Sequence, residues 1–427
     1  MALRATHPVH RILARASGKP QVEAGEIVTC AVDVAQVNDL YLQVIRSFEE
    51  MGGQRVAIPD QTAFVMDHYA PAPTIKSAAN QKAMREFVER HGIAHLVEVG
   101  DGVCHQVLID MGLVRPGSLV VATDSHTTTH GALGAFGTGV GATDMAAILL
   151  TGRVWLRVPE VARVRLEGTL PGGVMAKDVI LRLLRQLGAD AAVYQALEFS
   201  GAAVSSMSVS ERLVLSNMAV EMGAKTSYIA PDQLTLEYLA RRGVPSGSID
   251  LTLHEPADPG FRHAWEHILD VTGLEPQVAV PPGVDTAVDV GEVAGTRIDQ
   301  ALIGTCTGGR LSDIEVAARI LAGRRVARGT RLIVIPASRA VLQEAVRRVY
   351  VQVLLEAGVC LATPGCGPCL GAHQGVLAPG EVCISASSRN FPGRMGSTEA
   401  RIFLASPATV AASAVEGRIA DPRPYLR

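Results

Sequence analysis

Short apolar runs alternate with stretches of helical periodicity along most of this chain. SLVVAT (118–123) is a continuous apolar run that stops at Asp124, as a buried strand would. ARVRLEG (162–168) alternates with a period of two and predicts another strand. AKDVILRLLRQLG (176–188) spaces its apolar residues for a helix and ends on glycine. TRLIVIPAS (330–338) predicts a third strand, and SRAVLQEAVRRVYVQVLLEAG (338–358) a helix after it. Repeated strand–helix units imply α/β layers. Seams fall near VPEVARV (158–164) and in the proline-rich PQVAVPPGVD (276–285). The expectation is three α/β domains, 1–160, 161–285 and 286–427.

Composition narrows the function classes. The chain has 427 residues, 48% hydrophobic and 19% charged, enough to build large cores. Aromatics are 4% and the formal net charge is −3, so a basic face and stacking platforms for nucleic acid are lacking. No apolar run reaches the roughly 18 residues of a membrane span. The N-terminal MALRATHPVHRILARASGKP is basic, as a transit peptide would be. We read it instead as a short surface helix opening the first domain. Seven scattered cysteines without a secretory segment indicate reduced, cytoplasmic thiols and not a disulfide framework.

Polar chemistry collects just beyond the strands, where α/β sheets bind ligands. Asp67–His68, His105, Asp124–Ser125–His126, Asn217 with Glu221, Cys306, Cys366 with Cys369, and Arg389 with Arg394 all lie in such segments. Asn217 and Glu221 are four apart, on one face of a helix. The CxxC of TPGCGPCLG alone leaves zinc, redox and structural readings open. Joined to Cys306 it gives three thiols, one fewer than a cubane cluster has irons, and an iron with an open site is a Lewis acid. Three histidines call for acids to fix tautomer and charge, and Asp67, Asp124 and Glu221 are available. Two arginines suit bidentate binding of carboxylates. Together these describe a site for a hydroxy-polycarboxylic acid.

DHYAPAP, CHQ, TDSHTTTHGALGAFGTGVG, NMAVEMGA, IGTCT, PGCGPCLG and SRNFPGR, in this order, resemble the motif series of the aconitase superfamily. The resemblance runs from about residue 10 to the C-terminus. It is greatest to the large subunits of 3-isopropylmalate dehydratase, and nearly as great to those of homoaconitase; a methylmalate or maleate hydratase is a more distant alternative. HRILARASGKPQVEAGEIV resembles the ordinary start of that family, which favours the helix over the transit peptide.

The resemblance implies three α/β/α domains around a [4Fe–4S] cluster, held by Cys306, Cys366 and Cys369 with one iron open. It pairs Asp67 with His68, Asp124 with His105 and Glu221 with His126, and makes His68 the proton donor to the departing hydroxyl. It assigns the substrate's carboxylates to Arg389 and Arg394, and places Ser125 and Asn217 in the substrate site. The reaction implied is reversible dehydration. No GSSRE-like motif occurs, so the serine base and further arginines are expected on a separate small subunit. A non-catalytic, iron-sensing relative is the rival from another class. Three positions depart from the family pattern: Gly308 and Ser388, where Asn is usual, and Asn38, where His or Gln is. Cys30, Cys360 and Cys383 are expected to be small buried residues, Cys104 to line the site without binding metal, and His130 and His373 to stand near it.

Overall fold

The computed structural model describes residues 5–371 and 373–426. Three sheets carry the architecture, each built from its own consecutive stretch of the chain. The first is wholly parallel and runs His95–Val97, Thr62–Val65, Val34–Asn38, Leu119–Ala122, Phe136–Gly139. Its central strands are buried throughout, as continuous apolar runs in parallel sheets must be. A two-stranded antiparallel ribbon, Ile27–Ala31 with Arg153–Arg157, flanks it.

The second sheet has four parallel strands, Thr226–Tyr228, Ala196–Ser200, Val161–Glu167 and Glu266–Asp270. The third has seven, in the order Ala287–Asp289, Gln277–Ala279, Arg401–Ala405, Val382–Ser385, Gln300–Gly304, Arg331–Ile335 and Cys360–Leu361. Gln277–Ala279 runs antiparallel to both its neighbours. One apolar core joins the second sheet to the third: Val164, Leu166 and Phe199 pack in the same cluster as Leu302, Ile335 and Leu404. A much smaller cluster, Val65, Val97, Val103, Cys104, Val107, Cys306 and Ala337, joins the first sheet to the third. It lies where the strands Thr62–Val65 and Gln300–Gly304 end, and it supports the site described below.

The expected strands at 118–123, 162–168 and 330–338 form as Leu119–Ala122, Val161–Glu167 and Arg331–Ile335, and the helix at 176–188 as Ala176–Leu187 before Gly188. Two expectations change. The helix expected over 338–358 is two helices, Arg339–Arg347 and Tyr350–Glu356, broken at Val349, whose φ of 65° is left-handed. The N-terminal helix, Pro8–Ser17, is not a surface element. His7 caps it through Nδ1, and Val9, Ile12 and Leu13 are fully buried in the core of the first sheet.

Candidate active site

Strand ends deliver the first two acids. Thr62–Val65 finishes just before Asp67–His68, and Leu119–Ala122 just before Asp124. Asp67 and His68 are buried, with His68 Nδ1 at 2.7 Å from Asp67 Oδ1. The other oxygen of Asp67 accepts the Cys104 main-chain N–H at 2.8 Å, so the carboxylate has no freedom to turn away. Across the ring, His68 Nε2 lies 3.5 Å from Asp124 Oδ2. Burial opposes a charge on His68, but the Asp67 carboxylate and the hydrogen bonds to Asp124 and Asp67 outweigh it. The pKa of His68 stands well above the ordinary histidine value.

Asp124 caps the turn Ser125–Leu133 and serves three imidazoles. His105 Nε2 approaches Oδ1 at 2.9 Å, His126 Nδ1 lies 3.5 Å from Oδ1 while its main-chain N–H donates to the same oxygen at 2.8 Å, and His68 faces Oδ2. Despite burial, the His105 charge and these bonds hold its carboxyl well below the usual range. His126 reaches the second sheet's side of the molecule, with Nε2 at 2.9 Å from Glu221 Oε1. Arg389 donates from Nε to the same oxygen at 2.7 Å and from an Nη to Ser125 Oγ at 3.1 Å. The turn carrying these residues is packed tightly: a Cβ at Gly137 would come 2.1 Å from the Thr127 carbonyl oxygen.

Asn217 and Glu221 do not share one regular helix. Val209–Met218 is α-helical, and Glu221 sits in the tighter turn Ala219–Met222 that follows. Asn217 donates from Nδ2 to Thr129 Oγ1 at 2.7 Å and also reaches the Cys306 thiol.

The three thiols expected to act together are brought together. Cys306 is in a one-turn helix at the end of strand Gln300–Gly304; Cys366 and Cys369 lie in a loop and 3₁₀ turn. All three are buried and free of disulfides. Gly365 allows the loop to approach the first sheet: its φ is 154°, a Cβ there would meet the Asp67 carbonyl oxygen at 2.8 Å, and the Cys366 N–H donates to that oxygen at 2.8 Å. The Cys369 thiolate is stabilised by a hydrogen bond from Cys366 and then, against burial, by Arg394, whose Nη lies 3.8 Å from Cys369 Sγ. Burial, and then the negative charge of Cys369, push the Cys306 thiol up to about 11.

The departures from the family pattern have local partners. A Cβ at Gly308 would lie 2.5 Å from Ala386 Cβ, so this backbone has closed over the space an asparagine would need. Ser388 Oγ is buried and finds no hydrogen-bond partner among the described residues; Arg394 Nε and Asn217 Oδ1 are in the same condition. Asn38 is buried and accepts the Leu40 N–H at 3.3 Å. His130 is buried with its ring 5.8 Å from His105, and burial holds it well below the ordinary histidine value. His373 is buried beside His68 and Asp39. Cys104 is buried next to Asp67, and Cys30 and Cys383 are buried. Cys360 is not: it is exposed on the edge strand of the third sheet, a correction to its expected burial.

Two residues were not anticipated. Asp39 is fully buried and takes the main-chain N–H of His68 at 2.9 Å, that of Tyr69 at 3.0 Å and Gln81 Nε2 at 3.0 Å, which fixes the turn bearing His68. Its signal was an acid immediately after a buried strand, in AQVNDLY. Lys177 is buried, with Nζ at 2.6 Å from the Ser387 and 3.2 Å from the Ala386 carbonyl oxygens, and it anchors the loop that leads to Arg389. Its signal was position: Lys177 falls on the apolar stripe with Ile180, Leu181 and Leu184. Burial brings its ammonium down to about 8.

Residues 13–417 match the aconitase family (aconitate hydratase). The 3-isopropylmalate dehydratase large subunit 1 of Methanopyrus kandleri is 53% identical over 417 residues, 97% of this chain and 98% of that protein. A probable methanogen homoaconitase large subunit of Methanosarcina mazei is 50% identical over 395 residues, 92% of this chain and 98% of that one. Aconitase X of Thermococcus kodakaraensis, in its holo crystal structure, superposes with a TM-score of 0.50 at 14% identity, covering 86% of this chain and 84% of that chain, a likeness of fold alone. With the family matched along nearly its whole length, the chain belongs to the aconitase family.

Proposed function

We propose that this chain is the large catalytic subunit of 3-isopropylmalate dehydratase, which isomerises 2-isopropylmalate to 3-isopropylmalate in leucine biosynthesis by removing and re-adding water. The observation that carries the reading is the convergence of three acid–histidine pairs, two arginines and three free thiols from segments more than 300 residues apart in the chain. The name borne by the Methanopyrus relative, at 53% identity, supports the choice of substrate.

Family membership implies an iron–sulfur cluster. The donor set fits a [4Fe–4S] cluster with three protein ligands, Cys306, Cys366 and Cys369. The thiols are buried together and unbonded to one another covalently, and Ser388 Oγ, Asn217 Oδ1 and Arg394 Nε are buried polar atoms without protein partners. Such atoms call for a partner, and hydrogen bonds toward cluster sulfur or a bound substrate would supply it. When bound, the cluster contributes a Lewis-acidic iron that polarises the substrate's hydroxyl and neighbouring carboxylate.

The chain's own residues do the rest. His68, kept protonated by Asp67 and Asp124, gives its proton to the departing hydroxyl, which leaves as water. Asp67 cannot rotate, because Cys104 holds its second oxygen. Arg389 and Arg394 grip the carboxylates, with Glu221 and Ser125 aiming Arg389. The proton on carbon passes to a base on a separate small subunit; the "large subunit" in the relatives' names supports such a partner. Re-addition runs these proton transfers in reverse with the two alkene carbons exchanged, so that the hydroxyl arrives at the carbon that lost its proton and a proton arrives at the carbon that lost its hydroxyl.

A second reading, homoaconitase, rests on the Methanosarcina relative at 50% identity. The test is to co-express the chain with its small subunit, load the cluster without oxygen, and follow the alkene product by ultraviolet absorbance. 2-Isopropylmalate turning over with kcat/KM at least roughly tenfold above homocitrate supports the first reading. The opposite order replaces it with the second, and turnover of neither substrate refutes both.

A further inference from the structure

We propose that the buried ammonium of Lys177 is a built-in counter-charge to the cluster, a positioning residue that acts on the reaction through the Cys306 turn and the loop to Arg389. The proposal rests on the cluster reading given above. Lys177 is 1% exposed and sits in the first turn of helix Ala176–Leu187. It donates to the carbonyl oxygens of Ser387 at 2.6 Å and Ala386 at 3.2 Å. The same Ala386 oxygen accepts Thr307 Oγ1 at 2.7 Å, and Thr307 follows Cys306. One oxygen therefore joins the ammonium to the turn that bears the first thiol. Ser387 leads to Ser388, whose buried Oγ has no partner among the described residues, and then to Arg389.

The charge is what needs explaining, because a neutral donor would suffice to anchor two carbonyls. A cation here is opposed twice, by burial and by the positive end of its own helix. Burial lowers its pKa only to about 8, so it is protonated at neutral pH. Its hydrogen bonds go to the two carbonyl oxygens, and it forms no ion pair with a carboxylate among the described residues. The nearby acids are engaged elsewhere. Asp178, next in sequence, accepts main-chain N–H groups on both oxygens, from Met175 and Gln277, each at 2.8 Å. Asp313 takes the Arg310 N–H at 2.9 Å and answers the charge of Arg310 before that of Lys177. Glu221 is held by His126 and Arg389. Among the negative groups that act on Lys177, Cys306 and then Cys369 come first.

Three thiolates on a cubane core leave a net negative charge in a buried site, and net charge is one of the levers on cluster potential. Arg394 meets that charge at Cys369, with an Nη 3.8 Å from Sγ. Lys177 meets it on the side of Cys306, from helix Ala176–Leu187. A fixed cation favours the state that holds the extra electron, and so raises the potential. The same field keeps the open iron electron-poor, as a Lewis acid requires.

The test is a potentiometric titration, followed by EPR, of the anaerobically reconstituted full chain in wild type, Lys177→Met, Lys177→Gln and Lys177→Arg. Methionine matches the length and removes both charge and donor, glutamine keeps a donor without the charge, and arginine keeps both. The expected result is a midpoint potential displaced to more negative values in the two neutral variants and close to wild type in Lys177→Arg. A cluster that assembles in wild type and Lys177→Arg but in neither neutral variant has the same meaning. Potentials unchanged in the neutral variants overturn the proposal, and so does a displacement as large in Lys177→Arg as in Lys177→Met. Loss of the cluster from all three variants is the mark of a packing role and overturns it too. A wild-type chain that takes up no cluster overturns the cluster reading itself, and the proposal with it.

Discussion

Glu221 holds an imidazole and a guanidinium on one oxygen: His126 Nε2 at 2.9 Å and Arg389 Nε at 2.7 Å both meet Oε1. A single carboxylate thus fixes both a histidine that we propose handles protons and an arginine that we propose binds a carboxylate. Burial opposes its charge, but His126 and then Arg389 more than offset it, and the Glu221 pKa lies below its ordinary value. Glu221→Gln keeps the shape and removes the charge. We expect kcat to fall roughly 10²–10⁴-fold, with thermal stability and far-ultraviolet circular dichroism nearly unchanged. A kcat within about threefold of wild type would mean that the shared carboxylate is not needed.

His68 is the group whose protonation has a sign to test. Its folded-state pKa is raised, with burial opposing and Asp67 the leading cause of the rise. The imidazolium is therefore present below that raised value and lost as pH climbs through it. Asp67→Asn removes the leading cause, so the alkaline limb of the kcat profile should move to lower pH. A limb that stays in place, measured on the cluster-loaded enzyme with its small subunit, would assign the alkaline loss to another group.

Gly308 tests the local origin of a family departure. A Cβ there meets Ala386 Cβ at 2.5 Å, so Gly308→Asn should destabilise the chain by about 1–3 kcal/mol through overpacking. Gly308→Asn combined with Ala386→Gly should recover most of the loss, because the contact that forbids the side chain is gone. Denaturant melts of the two variants decide the matter; equal losses would place the cause elsewhere.

Much of the fold and of the candidate site could be read in the sequence because strand ends mark where polar side chains gather. Buried parallel strands appear as apolar runs, and the residue that ends each run, Asp67, Asp124 or Cys306, lies at the edge of the sheet where chemistry is placed. What stayed hidden depends on contacts between distant segments. Asp39 anchors the His68 turn through main-chain N–H groups, which carry no side-chain signature. Lys177 serves the third sheet's loop from a helix over 200 residues earlier. The break at Val349 escaped notice because Val is a poor residue for left-handed backbone, and nothing around RRVYVQ signals a stop.

That break gives a stability test independent of catalysis. Val349 is 51% exposed at φ 65°, a conformation in which a β-branched side chain is strained. Val349→Gly should relieve about 1 kcal/mol and raise the melting temperature, since little buried contact is lost. A lower melting temperature would show that chain entropy or packing outweighs the strain.

The central claim is that Cys306, Cys366 and Cys369 hold one cluster that completes the acid–histidine site. The direct measurement is the iron content of the anaerobically reconstituted chain, by chemical analysis with absorption and EPR, in wild type and in Cys306→Ser. The account predicts about four irons per wild-type chain and a sharp loss in the variant, in keeping with a cubane ligated through all three thiols. Zinc or no metal in the wild type, or iron content unchanged in Cys306→Ser, would contradict it and leave Cys366–Cys369 a structural turn or a redox pair.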